Sequence, residues 1–347
     1  MARRTQAPAR ETKARALWTA EALAGLARQF QPACVLAAAA ELDVFTPLFE
    51  RSRTAAATAR LIRADLRGTT ALLDALAGLG LLRKSGGAYR CAPGVGETLA
   101  ARAPRTLRPG LRHMANCLRR WADLGRVVKT GRPGPDRPSI LGRKVDGESF
   151  IGAMHSFSGP VADMVSAKAR PGRFKVLLDI GGGSGTWTMA FLRRQPKARA
   201  ILFDLPRVTA MARKRLASSG FMARVKLAAG DYLKDPLPSG ADLAWVSAIA
   251  HQNSREENRS LYRKVFKALV PGGRILIRDM VMDDSHTAPV SGALFGVNML
   301  VGTDKGGVFS LREFCEDLSA AGFKKAGLVH RDPGMHSIVE AFKPAAV

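Results

Sequence analysis

The sequence predicts an α/β protein in which a doubly wound, mostly parallel sheet follows a mainly helical, winged-helix-like unit. In the second part of the chain, short apolar runs alternate with segments of helical spacing, the pattern of a parallel sheet covered by helices on both faces. In the first part, three helical segments precede a glycine-turned hairpin, which is the element order of a winged helix. The 347 residues, 46% of them apolar, suffice for roughly two domains with their own cores. We place these domains at residues 1–145 and 146–347.

Helices and one hairpin are predicted in the first part of the chain. Residues 1–13 lack apolar periodicity and are expected to be a disordered lead-in. The predicted elements are helices at 17–30, 33–42, 53–62 and 69–79, the last opened by Thr69, and strands at 81–84 and 88–91. In a winged helix the helix at 69–79 would read DNA, yet it contains no Arg, Lys, Asn or Gln for base edges. We therefore expect a packing module and dimer interface, and we disfavour nucleic acid as a partner.

The second part alternates strands and helices. The predicted strands are 175–180, 200–203, 224–228, 243–249 and 274–278, the helices are 186–194, 208–218, 256–269 and 311–321, and a closing hairpin joins 327–330 to 337–342. The turn-rich segment 131–138 is expected to be a rigid connector near the domain boundary.

Basic side chains outnumber acidic ones. Lys and Arg number 54 against 29 Asp and Glu, which gives a net charge of +25. Such a charge attracts nucleic acid, anionic membranes or acidic substrates without choosing among them. The densest stretch, residues 102–144, holds twelve basic and two acidic side chains and is either a solvated connector or a phosphate-facing patch. We favour the connector, because aromatic residues are not interleaved to stack on bases.

Composition excludes several classes of protein. The longest apolar runs, such as residues 33–40, are far shorter than the roughly 20 residues that cross a bilayer, so we expect no membrane span. The Arg-rich start leads into no secretory apolar core. The four cysteines form no C-x-x-C pair, so we expect buried free thiols in a cytoplasmic protein. No metal site is predicted, and Asp283-Asp284 is interpreted as a solvated turn.

A glycine-rich loop follows the first strand of the second part. Residues 179–186 read D-I-G-G-G-S-G-T, and glycines let the main chain approach a ligand at the N-terminus of the next helix. The spacing is G-x-G-x-G, whereas dinucleotide sites use G-x-G-x-x-G, so an NAD-dependent dehydrogenase is disfavoured. Asp204 ends the second strand 23 residues after Gly181, and Asp231 follows the third strand. Acids at three strand ends, with no basic residue in the loop, suit a cationic nucleoside such as S-adenosylmethionine.

Five motifs in register carry a resemblance to a known family: 179–185, 203–206, 230–231, 242–251 and 271–274. They resemble the S-adenosylmethionine-dependent O-methyltransferases that include plant caffeic acid and bacterial hydroxyneurosporene O-methyltransferases. The resemblance covers nearly the whole chain, since residues 15–100 resemble the family's winged-helix-like dimerisation domain. It implies a class I methyltransferase fold of Rossmann-like type and a homodimer. The cofactor residues that it implies are Asp179, Gly181 and Gly183 at the loop, Asp204 at the ribose, and Asp231 and Tyr232 at the adenine.

The same resemblance implies a catalytic pair. The family's general base is a His nine residues after the Asp that opens the fourth strand, and His251 has that separation from Asp242. A neutral imidazole can take a proton from a phenol held beside a positive sulfur. Asp279 ends the next strand and by resemblance orients the imidazole. His155 is a rival base, which we interpret first as a pocket-wall residue.

Two departures from the family pattern concern this pair. The family usually continues its His with Asp-Trp, whereas this chain has Gln252-Asn253. A second acidic residue before the final helix is replaced by Val308-Phe309.

The predicted acceptor contacts are apolar apart from one amide: Phe150, Met154, Phe157, Phe295, Asn298 and Met299. Together they favour methyl transfer to a hydroxyl of a small, flat, apolar acceptor such as a phenol, quinol or polyene alcohol. Two alternatives are a cofactor-sensing winged-helix regulator and a nucleic-acid methyltransferase, both suggested by the basic charge.

Overall fold

The first part of the chain folds into helices packed on a small antiparallel sheet. The structure, a computed structural model, describes residues 18–104 and 106–346, and the predicted lead-in at 1–13 lies outside them. The helices are α1 (Ala20–Arg28), α2 (Phe30–Glu41), α3 (Phe45–Glu50), α4 (Ala55–Ile62), α5 (Leu66–Gly78) and α6 (Val95–Leu99), and the strands are β1 (Arg53–Thr54), β2 (Leu82–Ser85) and β3 (Ala88–Cys91). The sheet has the order β1-β3-β2. The predicted hairpin is confirmed, while α3, α6 and β1 were not predicted.

Helix α5 begins earlier than predicted. The Asp65 carboxylate accepts a hydrogen bond from the backbone N–H of Gly68 at 2.7 Å, so Asp65 is the N-cap. Thr69 lies inside the helix, and its buried hydroxyl has no hydrogen-bond partner among the described residues. The prediction that Thr69 caps this helix is therefore wrong, because Asp65, one turn upstream, already accepts from a free N–H of the first turn.

The basic stretch before the second part is mostly helical. It contains α7 (Arg108–Trp121) and α8 (Leu124–Thr130), and it leads to α9 (Gly142–Ser158), a short 3-10 turn and α10 (Ala162–Lys168). The interpretation as a solvated connector is wrong for α7. The Arg108 and Arg112 side chains each donate to the carbonyl of Ala40 at 3.2 Å, and Arg119 pairs with Glu41 at 2.7 Å. These cations stabilise the carboxyl end of α2, whereas residues 131–138 are irregular, as predicted.

The second part forms one large sheet with helices on both faces. Its strands are β4 (Val176–Ile180), β5 (Arg199–Asp204), β6 (Val225–Ala229), β7 (Ala241–Ser247) and β8 (Leu269–Asp279), followed by the short pair β9 (Val281–Met282) and β10 (Phe309–Ser310), and by β11 (Lys324–His330) and β12 (Ser337–Phe342). The helices are α11 (Thr186–Arg194), α12 (Pro206–Ser218), α13 (Arg255–Ala268), α14 (Val290–Gly302) and α15 (Leu311–Ala320). The seven-stranded order is β11-β12-β8-β7-β4-β5-β6. Within this sheet β12 runs opposite to the other six strands, so the mostly parallel sheet and the closing hairpin are confirmed.

This topology creates a crevice at the end of β4. Strand β4 lies between β5 and β7, so the connections on its two sides leave toward opposite faces of the sheet, and ligands bind at such a switch point. The helix that follows β4, α11, is buried over its first seven residues. One face of the sheet packs around Trp245 and Phe191, the other around Tyr262 and Phe314. These two cores hold the strand ends rigidly.

Two expectations from composition concern membrane-spanning helices and the burial of the cysteines. Within residues 18–104 and 106–346, no helix is both long and apolar enough to cross a bilayer. All four cysteines are free, but Cys34 is exposed and only Cys117 is buried. The expectation of buried thiols is therefore wrong for Cys34, because the start of α2, which carries it, is exposed among the residues that the structure describes.

Candidate active site

The glycine loop presents open backbone at the end of β4. Gly181, Gly183 and Gly185 have φ angles of +63°, +56° and +81°, the left-handed region that favours glycine. A Cβ on Gly181 would lie 2.5 Å from Ile249, whereas a Cβ on Gly183 would meet no atom within 4 Å. Gly181 is therefore required by packing, and Gly183 lines free space where a ligand could approach the main chain.

Asp204 connects this loop to the end of β5. Its two carboxylate oxygens accept hydrogen bonds from the N–H groups of Gly183 at 2.8 Å and Leu205 at 2.7 Å. Burial raises the pKa of Asp204, and the two N–H donors oppose that rise. The carboxylate therefore faces the loop, as expected for a residue that would bind a ribose.

Asp179 lies beneath the loop. It is buried, and one carboxylate oxygen accepts from the Thr188 hydroxyl at 2.5 Å while the other has no partner among the described residues. Burial raises the pKa of Asp179 to about 7, the charge of Asp204 adds to the rise, and the Thr188 hydrogen bond opposes it. Asp179 thus supports the loop from the sheet side.

We expect Asp179 to make stability fall with rising pH. Its pKa is raised from 3.8 to about 7, so the folded state keeps a proton that the unfolded chain releases above about pH 4, and the free energy of unfolding falls between about pH 4 and about pH 7. Asp179→Asn removes the carboxyl group and therefore this pH-dependent contribution to stability. In urea unfolding, the free energy of unfolding of the variant minus that of the wild type should grow by roughly 2–4 kcal/mol from about pH 4 to about pH 8. A difference in the free energy of unfolding that is constant with pH would contradict this prediction.

The residues predicted to border the adenine lie at the same edge of the sheet. Asp231 accepts from the N–H of Leu233 at 2.9 Å, and the Tyr232 hydroxyl lies 3.4 Å from the side-chain oxygen of Asn253. Burial raises the pKa of Tyr232 to about 12, and the charges of Asp231 and Asp204 add to it. Asp204 ends β5 and Asp231 follows the neighbouring β6, so the three predicted residues lie at one edge of the sheet.

His251 and Asp279 form a buried pair beside the crevice. His251 Nδ1 lies 2.7 Å from Asp279 Oδ1, and the His251 backbone N–H donates to Oδ2 at 3.3 Å. Asp279 also accepts from the backbone N–H of Met280 at 2.8 Å. A carboxylate only accepts, so Nδ1 carries the hydrogen, and in the neutral imidazole Nε2 keeps its lone pair. Nε2 makes no hydrogen bond to a described residue and is not fully enclosed.

The turn that carries His251 is held by residues that the sequence analysis missed. The buried Asn258 donates to the carbonyl of Ala250 at 2.9 Å, and Asn253 donates to Asn258 at 3.1 Å. The N–H of Gly307 donates to the carbonyl of His251 at 2.9 Å. The only signal in the sequence was that two asparagines follow the predicted base closely, and their burial in a hydrogen-bonded network is visible in the structure alone.

The two departures from the family pattern lie around this turn. Gln252 donates to the carbonyl of Ala248 at 2.9 Å, so it braces the turn. Val308 packs against α14 beside Gly296, and the ring of Phe309 packs against Phe314 at 6.0 Å between centroids. Apolar packing therefore occupies the place of the family's second acid.

His155 lies in a different environment from the His251 pair. Its Nδ1 lies 2.8 Å from the Thr186 hydroxyl, and its Nε2 is bonded to Arg215. Burial lowers the pKa of His155 to about 4, and the charge of Arg215 adds to that effect. Both ring nitrogens are engaged, Nδ1 at the start of α11 and Nε2 at the last turn of α12, which agrees with a wall residue better than with a base.

The predicted acceptor residues fall into two groups. On α14, the Phe295 ring meets the His251 ring edge to face, with centroids 4.9 Å apart, Asn298 accepts from the Trp121 indole at 2.9 Å, and Met299 is buried. On α9, Met154 is half-buried. The other two α9 residues lie against α7: Phe150 contacts His113, and Phe157 covers Gly110. The structure thus brings Phe295, but not the α9 aromatics, into contact with His251.

The crevice and the buried pair define an enzyme of the class I methyltransferase type. Residues 146–324 match the family model described as the O-methyltransferase domain, and residues 25–103 match the O-methyltransferase dimerisation domain. The chain belongs to this O-methyltransferase family.

Individual relatives agree over most of their length. The chain is 31% identical over 315 residues to the 3-hydroxy-5-methyl-1-naphthoate 3-O-methyltransferase of Streptomyces sahachiroi, covering 89% of this chain and 91% of that one. The solved structure of PigF with SAH is similar with a TM-score of 0.83 at 26% identity, over 94% of this chain and 100% of that one. Human N-acetylserotonin methyltransferase in complex with SAM has a TM-score of 0.78 at 26% identity, over 94% and 97%.

Proposed function

We propose that the protein transfers a methyl group from S-adenosylmethionine to a hydroxyl of a small, largely apolar acceptor, with His251 as general base. The observation that carries this proposal is the free Nε2 of an imidazole whose Nδ1–H is held by a buried carboxylate. The acceptor would be a phenol, a quinol or a polyene alcohol. We propose that the boundary between the two domains follows residue 145, so that the methyltransferase domain comprises residues 146–347.

The crevice fits the cofactor. Asp204 offers a carboxylate to two ribose hydroxyls, and the open backbone at Gly183 leaves space for the methionine portion. Asp231 and Tyr232 would border the adenine, where the buried ring of Tyr232 supplies an apolar surface. No basic side chain stands in the loop, which suits a ligand with a positive sulfur.

The catalytic steps follow from the geometry of the His251–Asp279 pair. S-adenosylmethionine, when bound, supplies a methyl group on a sulfonium centre. His251 Nε2 takes the proton of the acceptor hydroxyl as the new O–C bond forms, and Asp279 stabilises the imidazolium. Phe295 closes one side of the imidazole and limits water there. The proton then leaves His251 to solvent, and the products are the methyl ether and S-adenosylhomocysteine.

Incubation with methyl-labelled S-adenosylmethionine and a panel of phenols, quinols and RNA tests this function. Label in a small hydroxyl compound supports it. Label in RNA alone, or no heat of binding with S-adenosylhomocysteine in calorimetry, would overturn it.

We also propose that two copies of the chain associate through the first part, as a winged-helix-like dimerisation domain. Helix α1 has no buried residue, although it and its flanks carry large apolar side chains: Trp18 at 66% exposed, Leu23 at 51%, Leu26 at 49% and Phe30 at 58%. Such a stripe is costly in water and matches a self-complementary interface.

Replacing this stripe should separate the copies. For Leu23→Asp with Leu26→Asp, we expect the dimer affinity to fall at least about 100-fold, since each apolar side chain contributes roughly 1.5–3 kcal/mol on burial. Light scattering after size exclusion measures the mass. Met211→Asp, on the exposed side of α12, is the control. A wild-type monomer, or a variant that stays dimeric, would refute the proposal.

A further inference from the structure

A lysine of α13, Lys264, is bonded to the loop that follows β6. Its Nζ donates to three backbone carbonyls, those of Tyr232 at 3.0 Å, Leu233 at 2.9 Å and Asp235 at 3.1 Å. An ammonium group has three N–H donors, so one short segment of main chain uses them all. None of these partners is a carboxylate, and the side chain is half-buried. The lysine therefore serves the shape of the loop formed by residues 231–235.

The conformation of this loop depends on the cation. Carbonyl oxygens carry partial negative charge, so three of them that converge on one point repel one another unless a positive group lies there. The other bonds are internal to the loop: the Asp231 side chain accepts from the N–H of Leu233 at 2.9 Å, and the Asp235 side chain accepts from the N–H of Asp231 at 2.8 Å. These internal bonds form the turn, and Lys264 fastens the turn to α13.

The loop carries the two residues proposed to border the adenine, Asp231 and Tyr232. The carbonyl of Tyr232 is itself one of the oxygens that Lys264 binds, so a shift of the loop moves the Tyr232 ring as well. Helix α13 also supports the turn of His251, but it does so through Asn258, which donates to the carbonyl of Ala250 at 2.9 Å. A change at Lys264 should therefore affect the cofactor side of the crevice and leave the base in place.

We propose that Lys264 is a positioning residue for the cofactor, which holds loop 231–235 in the conformation that places Asp231 and Tyr232 beside the adenine. The inference rests on the proposed function, since it concerns the cofactor crevice of the same site. Lys264 acts through the loop and not on the reacting atoms. Its loss should weaken the binding of cofactor in the ground state and in the transition state alike, which raises KM and leaves kcat unchanged.

Calorimetry with S-adenosylhomocysteine on the full chain tests this role. Lys264→Met keeps the apolar stem but removes the ammonium group, and the affinity should fall by about 10-fold because three hydrogen bonds from a charged donor are lost. The KM for S-adenosylmethionine should rise by a similar factor, whereas kcat at saturating cofactor should stay within about twofold. Lys267→Met, an exposed position one turn further along α13, is the matched control and should bind like the wild type.

Two further variants separate the charge from the packing of the side chain. Lys264→Arg retains a cation with several N–H donors and should recover most of the affinity. Lys264→Gln keeps two donors without the charge, should show an intermediate loss, and gives the same measurements if Lys264→Met does not fold.

Hydrogen exchange measured by mass spectrometry reports on the loop without any cofactor. The amides of residues 231–235 should exchange at least about 10-fold faster in Lys264→Met, because the loop opens locally once it is released from α13. They should exchange at the wild-type rate in Lys267→Met. Thermal unfolding of each variant distinguishes this local opening from a loss of global stability.

Wild-type affinity or unchanged loop exchange in Lys264→Met would overturn the inference. So would an Lys264→Arg variant as weak as Lys264→Met, or a loss of kcat at an unchanged KM. Methyl transfer by the wild type is assayed separately. Without methyl transfer, the expected changes in affinity and exchange would leave the inference standing while the proposed function fails. Methyl transfer by a wild type whose cofactor affinity does not depend on Lys264 would do the reverse.

Discussion

His251→Ala is expected to lower kcat by roughly 10²–10⁴-fold, the range for loss of a positioned general base. The physical reason is that Nε2 is the free ring nitrogen of the pair, while Nδ1 is held by Asp279 at 2.7 Å. Without the His251 imidazole, the acceptor must lose its proton to water. The affinity for S-adenosylhomocysteine should change by no more than about twofold, because the residues proposed to bind the cofactor lie at other strand ends. Rates at saturating cofactor, together with calorimetry, measure both quantities.

Asp279→Asn should have a comparable effect through the tautomer. The amide NH2 group can donate to Nδ1, which then becomes the acceptor and moves the hydrogen to Nε2. An Nε2 that carries a hydrogen cannot take the acceptor's proton, so kcat should again fall by roughly two orders of magnitude or more.

His330→Ala, on β11 at the far edge of the sheet, is the matched control and should keep wild-type turnover. Unchanged turnover and cofactor affinity in His251→Ala would reject His251 as the base. Unchanged turnover in Asp279→Asn alone would leave His251 as base but remove the role of Asp279 in orienting it.

Asp204→Asn is expected to weaken binding of S-adenosylhomocysteine by about 100-fold or more. A carboxylate can accept from two ribose hydroxyls, and hydrogen bonds to a charged group contribute roughly 1.5–3 kcal/mol each. The same carboxylate also accepts from the N–H groups of Gly183 and Leu205. An amide offers one accepting atom only, so one N–H would face an NH2 group and the loop would shift.

Calorimetry with S-adenosylhomocysteine measures this loss, and turnover at high cofactor concentration should recover much of the activity. Asp284→Asn, an exposed carboxylate before α14, is the control. Near-wild-type affinity in Asp204→Asn would show that the ribose lies elsewhere, and with it the whole assignment of the crevice would fail.

The strands that support this site could be predicted from local pattern. Buried parallel strands are short apolar runs, and their carboxyl ends meet at one edge of the sheet. Asp204 and His251 were therefore expected at a common edge from their strand positions alone, and the structure places both there. Helix α14 was not predicted, because its residues are almost uniformly apolar and give little helical periodicity.

Helix α7 is an example of what the sequence pattern could not predict. Its Arg residues indicated a solvated connector, but Arg108 and Arg112 bond the end of α2. The charge of a side chain is visible in the sequence, whereas the carbonyl that it meets, 68 residues away for Arg108 and Ala40, depends on packing. The same holds for Asn253 and Asn258, whose buried network supports the His251 turn.

The sequence by itself determined the sheet, the glycine loop and the order of acids and His along the strands, because these depend on local periodicity and on chain direction. Only the tertiary structure decided which nitrogen of His251 is free, which carboxylate faces the loop, and which half of the Asn298 amide points away from Trp121. These properties depend on contacts between residues far apart in the chain, such as the 177 positions that separate Trp121 from Asn298. No local pattern encodes a hydrogen bond of that kind.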